Sequence, residues 1–303
     1  MAYNSNQNWS IPASRELLDL ACSALGVTYQ ELSLVRFGTN AIYKLTEPAL
    51  SARVSRPGAD LAAAKREIAV TRWLVERGFA TVSVIDSLTP EPFPVYDSFV
   101  SFWPWVEFDA AQPSPVAFAA KLADLHKVSE IYPHPLPPWN PMELVNHHLL
   151  SLRKSGTISA TDLDLLRRWH DWIAERIYDH RSEIGEGLLH GDAHIGNCLL
   201  THDQAMLLDF DFVCSGPREW DLIPQTLGPR RFGRSREQYS SFAEAYGFDV
   251  TKWAGFKVAV LARELLITCW RLEVEAISPV RSEGTLRMHY WRRKPEPPRW
   301  RSF

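Results

Sequence analysis

Lysine is scarce in this chain of 303 residues: only eight of its 33 basic side chains are lysine, and the rest are arginine. That bias carries no function by itself, because the formal net charge is -3. A balance this close to zero demands neither a nucleic acid nor an anionic membrane as partner. Cysteine is sparse as well. Cys22, Cys198, Cys214 and Cys269 form no C-x-x-C pair, which argues against a zinc ribbon or a redox dithiol and leaves reduced thiols in a cytoplasmic chain as the expectation. No apolar run approaches the ~18 residues of a membrane-crossing helix. The opening MAYNSNQNWS has neither the basic start nor the apolar segment of a signal peptide. No repeat of fixed period occurs. What remains, at 46% hydrophobic and 23% charged residues, is an ordinary globular composition with length enough for a sizeable core.

The patterning predicts its elements in a definite order. Leu17, Leu18, Ala21 and Leu25 recur at helical spacing over 14–25, and Gly26 is the stop. ELSLVRF, AIYKLTE and ALSARVS read as three short strands separated by FGTN and by Glu47-Pro48, an antiparallel meander. In ADLAAAKREIAVTRWLVERG, Leu61, Ala64, Ile68 and Val75 lie near one helix face, and Gly78 ends it. TVSVID and PVYDSFVSFW read as strands, and Pro104 to Pro115 as a linker. Beyond it, helices are predicted over 116–128, 142–154, 161–183, 236–246 and 251–276, interrupted only by strands near 198–200 and 206–210. A small sheet followed by a run of helices fits the α+β class better than an alternating parallel fold.

The interruption concentrates polar groups. LLHGDAHIGN places Asp192 and Asn197 five residues apart on a loop leading into a strand, and Asp209 follows the apolar run Met206-Leu207-Leu208. A two-stranded hairpin would return Asp209 close to Asn197, so that a carbonyl and a carboxylate face a shared Mg²⁺, a cation that prefers oxygen. Phosphoryl transfer asks for such parts: a carboxylate to orient and deprotonate the acceptor hydroxyl, oxygen ligands for Mg²⁺, and a cover over the phosphates. The protein-kinase catalytic loop has its Asp and Asn at the same separation.

HGDAHIGN resembles the H-G-D-x-H-x-x-N loop of the aminoglycoside phosphotransferase family, small-molecule kinases with a protein-kinase-like fold. LLDFD resembles that family's metal-binding segment, and SGPREWDL resembles its G-x-x-x-x-D-L element through Gly216, Asp221 and Leu222. The resemblance runs from Phe37 to Leu222. It implies a two-lobed α+β fold: an antiparallel-sheet lobe with one long helix over 1–102, a hinge over 103–108, and a larger helical, acceptor-binding lobe over 109–303. It implies ATP or GTP as donor and Mg²⁺ as cofactor. Asp192 becomes the base, and Asn197 and Asp209 the metal ligands. The backbone of Gly38, Thr39 and Asn40 covers the phosphates. Arg53 stands where kinase folds place a phosphate-binding Lys, with Glu67 as its partner; it keeps the charge but not the ammonium geometry. Trp103 and Trp105 fall at the hinge that meets adenine. His190 packs beneath the loop. His194 has two readings, a bond to the loop backbone or an approach to substrate. Asp211 likewise has two, a supporting acid or a stand-in for the Gly of D-F-G. Asp221 accepts N–H groups of the catalytic loop.

The acceptor is less legible. Aminoglycoside kinases hold amino sugars in acidic pockets, for which Glu244, Glu264, Glu273 and Glu275 are the candidates; HPLPPWNP, with Trp139, offers an apolar alternative. The expected partner is a small-molecule alcohol, an antibiotic or a metabolite, rather than nucleic acid or a membrane. The basic, aromatic stretch RMHYWRRKPEPPRWRSF reads as a terminus wrapping a lobe or fraying from it. The rival is a non-catalytic nucleotide-binding relative, kept open by Arg53 and the single Gly38. A protein kinase ranks last, since no D-F-G followed by A-P-E occurs.

Overall fold

A computed structural model describes residues 9–202, 204–276, 282–293 and 300. The chain divides into two compact units. The first takes the chain up to Ala111 together with Leu199–Phe212; the second takes Gln112–Cys198 and the chain from Val213 onward. The linear division expected from sequence, 1–102, 103–108 and 109–303, differs in two respects. The first unit runs past the expected hinge, and it takes back a segment from much later in the chain. That segment is bound into the unit by its own hydrogen bonds: Leu207 N–H donates to Ala80 O (3.2 Å) and Asp109 N–H to Leu200 O (2.8 Å).

The first unit begins with α1 (Ile11–Leu25). Ser10 caps it, its hydroxyl accepting from Ala13 N–H, and Gly26 closes it in the left-handed region. The meander follows as β1 (Leu32–Phe37), β2 (Asn40–Leu45) and β3 (Leu50–Ser55), then α2 (Leu61–Glu76), capped by Asp60. The hairpin β4 (Phe93–Val95) and β5 (Ser98–Pro104) completes a five-stranded antiparallel sheet in the order β1-β2-β3-β5-β4. Alternation decides its faces. Ala41, Tyr43 and Leu45 on β2 and Ala52 and Val54 on β3 point into a core with Leu17 and Leu18 of α1. Arg53, pairing with Ile42 and Ser101, therefore projects from the other face. The strand expected over 81–86 does not form: Ile85 N–H reaches Phe102 O at 3.0 Å, but no ladder continues. The short strands β7 (Cys198–Thr201) and β8 (Gln204–Leu207) pair with each other.

The second unit contains α3 (Pro115–Val128), α4 (Pro141–Ser155), α5 (Ala160–Ala174), α6 (Glu219–Arg231), α7 (Arg236–Tyr246), α8 (Phe256–Ala276) and α9 (Ser282–Arg293). A two-stranded antiparallel sheet of β6 (Glu186–Leu189) and β9 (Cys214–Pro217) lies among them. Ala262, Leu265 and Cys269 of α8 pack with Leu149 and Leu152 of α4 and Leu166 and Ile173 of α5 into one apolar core. The helix expected over 161–183 stops at Ala174, because Arg176 leaves the helical region at φ -126°. Of the basic C-terminal stretch, residues 287–293 belong to α9 and Trp300 is buried; residues 294–299 and 301–303 lie outside the described residues. Among the described residues no helix is long and apolar enough to cross a membrane.

Candidate active site

In the first unit the structure gathers an arginine and three carboxylates. Arg53 Nη1 donates to Glu67 Oε2 at 2.8 Å, and its Nη2 donates to Asp211 Oδ2 and lies 3.8 Å from Asp209 Oδ1. Glu67 uses its other oxygen to accept from Phe210 N–H at 3.1 Å. A buried carboxylate on α2 thus links the third strand to the segment after β8. Carboxylate oxygens of Glu67, Asp209 and Asp211 lie within 4.8 Å of one another. Asp209 is the most open of them, its side chain 39% exposed. Its φ of 67° puts a non-glycine residue in the left-handed region, a conformation kept at a cost and frequent at functional sites. Asp211, for which two readings stood open, is here a direct partner of Arg53.

The turn between β1 and β2 is Gly38–Thr39. Asn40, with its amide turned to satisfy its neighbours, accepts from Arg53 Nε (3.0 Å) and Nη2 (2.7 Å). Trp9, which the sequence did not single out, donates from Nε1 to Gly38 O at 2.7 Å and stacks on Phe37 with ring centroids 5.4 Å apart. A Cβ at Gly38 would meet nothing within 4 Å, and its φ is not in the left-handed range. The two tryptophans expected at the hinge are otherwise occupied. Trp103 is buried beside Ile68 and Val84, with Nε1 donating to Ser101 Oγ at 2.9 Å, so its ring is core rather than a stacking surface. Trp105 carries the Lys44 ammonium 4.4 Å from its ring centroid, and its Nε1 donates to Glu107 Oε1 at 2.8 Å.

In the second unit the loop from His190 to Asn197 is held from several sides. The fully buried Asp221 accepts from His190 N–H (2.7 Å), Gly191 N–H (2.9 Å) and His126 Nε2–H (3.1 Å). With that proton on Nε2, His126 Nδ1 accepts from the Tyr246 hydroxyl 2.7 Å away. Trp220 Nε1 donates to Gly191 O at 3.1 Å, and Gln225 Nε2 to Ala193 O at 2.9 Å. Helix α6 therefore fixes the loop through Asp221, Trp220 and Gln225. Gly191, at φ 83°, supplies a turn that an L side chain would strain. Buried His190 accepts from Asp192 N–H at 3.3 Å, and His194 Nδ1 accepts from Gly196 N–H at 3.0 Å. His194 also faces the Asp192 carboxylate, 3.7 Å from Nε2 to Oδ2. The buried Asn197 donates from Nδ2 to Asp192 O at 3.1 Å.

Sequence reasoning missed Arg263. Its side chain is 8% exposed on α8, and its guanidinium donates to Asp192 Oδ1. Burial alone would raise the Asp192 carboxyl; the Arg263 guanidinium, with His194 and His190, outweighs it and holds Asp192 well below the usual carboxylate range. The available signal was a charged pair, Arg263-Glu264, inside the apolar run AVLARELLI.

The expected acidic acceptor residues are placed elsewhere. Glu264 is fully buried, accepting from Arg231 Nε (2.7 Å) and the Tyr290 hydroxyl (3.0 Å). Glu273 pairs with His148 Nδ1 (2.5 Å) and Ser151 Oγ (3.0 Å). Glu275 accepts from Arg271 Nε (2.8 Å) and from the N–H groups that begin α9. Glu244 is exposed on α7. Trp139 packs on Trp220, centroids 5.2 Å apart. A Cβ on Gly216 would lie 2.4 Å from Trp139 Cβ, which is why that motif position is glycine.

A sequence comparison with curated proteins gives no match. Solved structures give many. An amicoumacin kinase in complex with AMP-PNP, Ca²⁺ and Ami superposes with a TM-score of 0.69 at 13% identity, covering 94% of this chain and 95% of that one. A choline/ethanolamine kinase family protein from Mesorhizobium loti gives 0.59 at 17% identity, covering 91% and 94%. A spectinomycin phosphotransferase in complex with ADP gives 0.60 at 14% identity, covering 93% and 94%. At such identities the likeness establishes a shared kinase-like fold. Residues 37–256 match the phosphotransferase enzyme family, and with well over half of its length in that match, the chain belongs to that family.

Proposed function

We propose that the protein transfers the γ-phosphoryl group of ATP or GTP to a hydroxyl of a small molecule. The observation that carries this reading is Asp192: a carboxylate held ionised on a loop whose backbone is pinned by Asp221, Trp220 and Gln225. In the proposed step the acceptor oxygen attacks the γ-phosphorus, the bond from phosphorus to the bridging oxygen breaks, the nucleoside diphosphate leaves, and the hydroxyl proton passes to Asp192. With Arg263 donating to its Oδ1, Asp192 chiefly orients the hydroxyl and takes its proton late. A loose transition state needs little early deprotonation and depends on positioning and charge stabilisation.

Arg53, fixed by Glu67 and Asp211, supplies positive charge for the phosphates. The open turn at Gly38, with no steric need of its own for glycine, gives a phosphate room to approach backbone N–H groups. Asp209 is the proposed ligand of Mg²⁺ within the first unit, and the family's loop motif assigns the Asn197 side-chain carbonyl the same task. The donor set fits: hard oxygen atoms, with three carboxylates clustered in the first unit. The ion, when bound, would neutralise phosphate charge. The amicoumacin kinase structure with AMP-PNP and Ca²⁺ and the spectinomycin phosphotransferase structure with ADP support a nucleotide and a divalent cation.

A non-catalytic relative is the second reading, favoured by the Arg263 contact that occupies Asp192. Release of ADP or GDP over background across a panel of hydroxylated amines, sugars and hydroxy acids tests the choice. Transfer to an acceptor that Asp192→Asn abolishes supports the enzyme; tight nucleotide binding with no turnover supports the relative.

A further inference from the structure

We infer that the acceptor is an alcohol bearing an oxyanion, a carboxylate or a phosphate, and that Arg263 holds that group beside the reacting hydroxyl. The inference rests on the phosphoryl-transfer reading and names its acceptor class. Three sets of observations carry it. The first is the charge next to Asp192. A site built for an ammonium group would leave that carboxylate to attract it, yet here an arginine is already buried against it. A guanidinium offers five N–H donors in a rigid fork. Arg263 uses one on Asp192 Oδ1, while its buried Nε has no hydrogen-bond partner among the described residues. An oxyanion accepting from the terminal nitrogens of the same fork would place a neighbouring hydroxyl at Asp192.

The second is the fate of the acids that a polycation would need. Glu264, Glu273 and Glu275 are consumed by Arg231 and Tyr290, by His148 and Ser151, and by Arg271. The third is a cleft of about 540 Å³ in the same unit. Arg230, Arg231 and Arg236 line it with Tyr239, and no carboxylate among the described residues does; Asp192 and Arg263 are not part of its lining. Arg231 is itself buried and paired with Glu264, whereas Arg230 and Arg236 are exposed. Asp192 repels an oxyanion, so the arginine beside it is required for the pairing. Loss of Arg263 should harm acid-bearing acceptors more than neutral ones.

The experiment measures ADP release and phosphorylated product for matched alcohols that end in a carboxylate, a phosphate, an amide or an ammonium group. The carboxylate or phosphate alcohol is expected to exceed the amide and the ammonium alcohol at least ten-fold in kcat/KM, and the better of the two identifies the anion. Arg263→Gln should abolish the preference chiefly through KM, and Arg263→Lys should restore part of it. Preference for the ammonium alcohol, or no preference, overturns the inference whether or not the Arg263 variants fold. So does slow ATP hydrolysis to water, lost in Asp192→Asn, that no acceptor accelerates; that outcome leaves phosphoryl transfer standing. Absence of any nucleotide turnover defeats the phosphoryl-transfer reading and this inference together.

Discussion

Replacing Asp221 separates the loop's scaffold from its chemistry. The carboxylate is fully buried and serves three donors: Oδ2 accepts from His190 N–H and His126 Nε2–H, and Oδ1 accepts from Gly191 N–H. Alanine would strand all three. At about 1–3 kcal/mol for each buried donor left unpaired, the loss approaches about 3–9 kcal/mol, comparable with the roughly 5–15 kcal/mol that stabilises a whole domain. Asp221→Ala is therefore expected to fold poorly or not at all. Asp221→Asn keeps the shape. Its single oxygen can serve His190 and His126, but its NH₂ then faces the Gly191 N–H. One unpaired N–H and the loss of charge assistance predict a destabilisation of about 2–4 kcal/mol. Urea unfolding should show a lower midpoint at an unchanged slope. Turnover should fall in the variant while affinity for the nucleotide without Mg²⁺ holds, since Asp221 acts only on the loop of the second unit. An unfolding free energy within about 0.5 kcal/mol of wild type, the ordinary range for a neutral surface change, would refute the reasoning.

Three further outcomes follow from individual contacts. Arg53→Met removes the cation from among Glu67, Asp209 and Asp211; breaking a largely buried pair costs about 3–5 kcal/mol, and added Mg²⁺ should raise the melting temperature of the variant more than that of wild type. An equal metal response in both proteins would contradict the cluster. Gly216→Ala drives a Cβ to 2.4 Å from Trp139 Cβ, an overpacking worth about 1–3 kcal/mol, which chemical denaturation should detect. Asp162→Asn breaks the bond to Arg292, whose side-chain donation is the main influence holding the Asp162 carboxyl below its ordinary value. A depressed folded pKa stabilises above the unfolded value of 3.8 and is lost as pH falls through the folded one. The variant should thus be less stable near neutrality, by about 1 kcal/mol after allowing for the exposure of Arg292, and converge with wild type in strong acid; a pH-independent difference would exclude the pair as its cause.

The sequence made local features legible. The helix expected over 236–246 forms as α7 with those limits, because its amphipathic spacing lies between a capping Ser235 and a terminating Gly247. The meander and its turns follow from alternation and from Gly38. Helix α6 was given no limits, since Pro224 and Pro229 inside it mask the pattern, and β6 and β9 went unread because they are four residues each with a glycine in both. In the loop of the second unit, the pairing of Asn197 with the Asp192 carbonyl was legible because the two are five residues apart. Arg263 and His126 were not, because they meet Asp192 and Asp221 across 71 and 95 residues of chain. The acidic residues of α8 misled, because a glutamate on an apolar helix face signals an internal partner as readily as a ligand. Only the fold supplies Arg231, Tyr290 and His148.

The most direct measurement compares wild type and Asp192→Asn with one verified acceptor, taking turnover from product formation and Mg-nucleotide affinity from titration calorimetry. If Asp192 orients the hydroxyl and accepts its proton, turnover falls by about 10²-fold or more, within the usual worth of a general base, while Mg-nucleotide affinity stays close to that of wild type. Full activity in the variant would contradict the account.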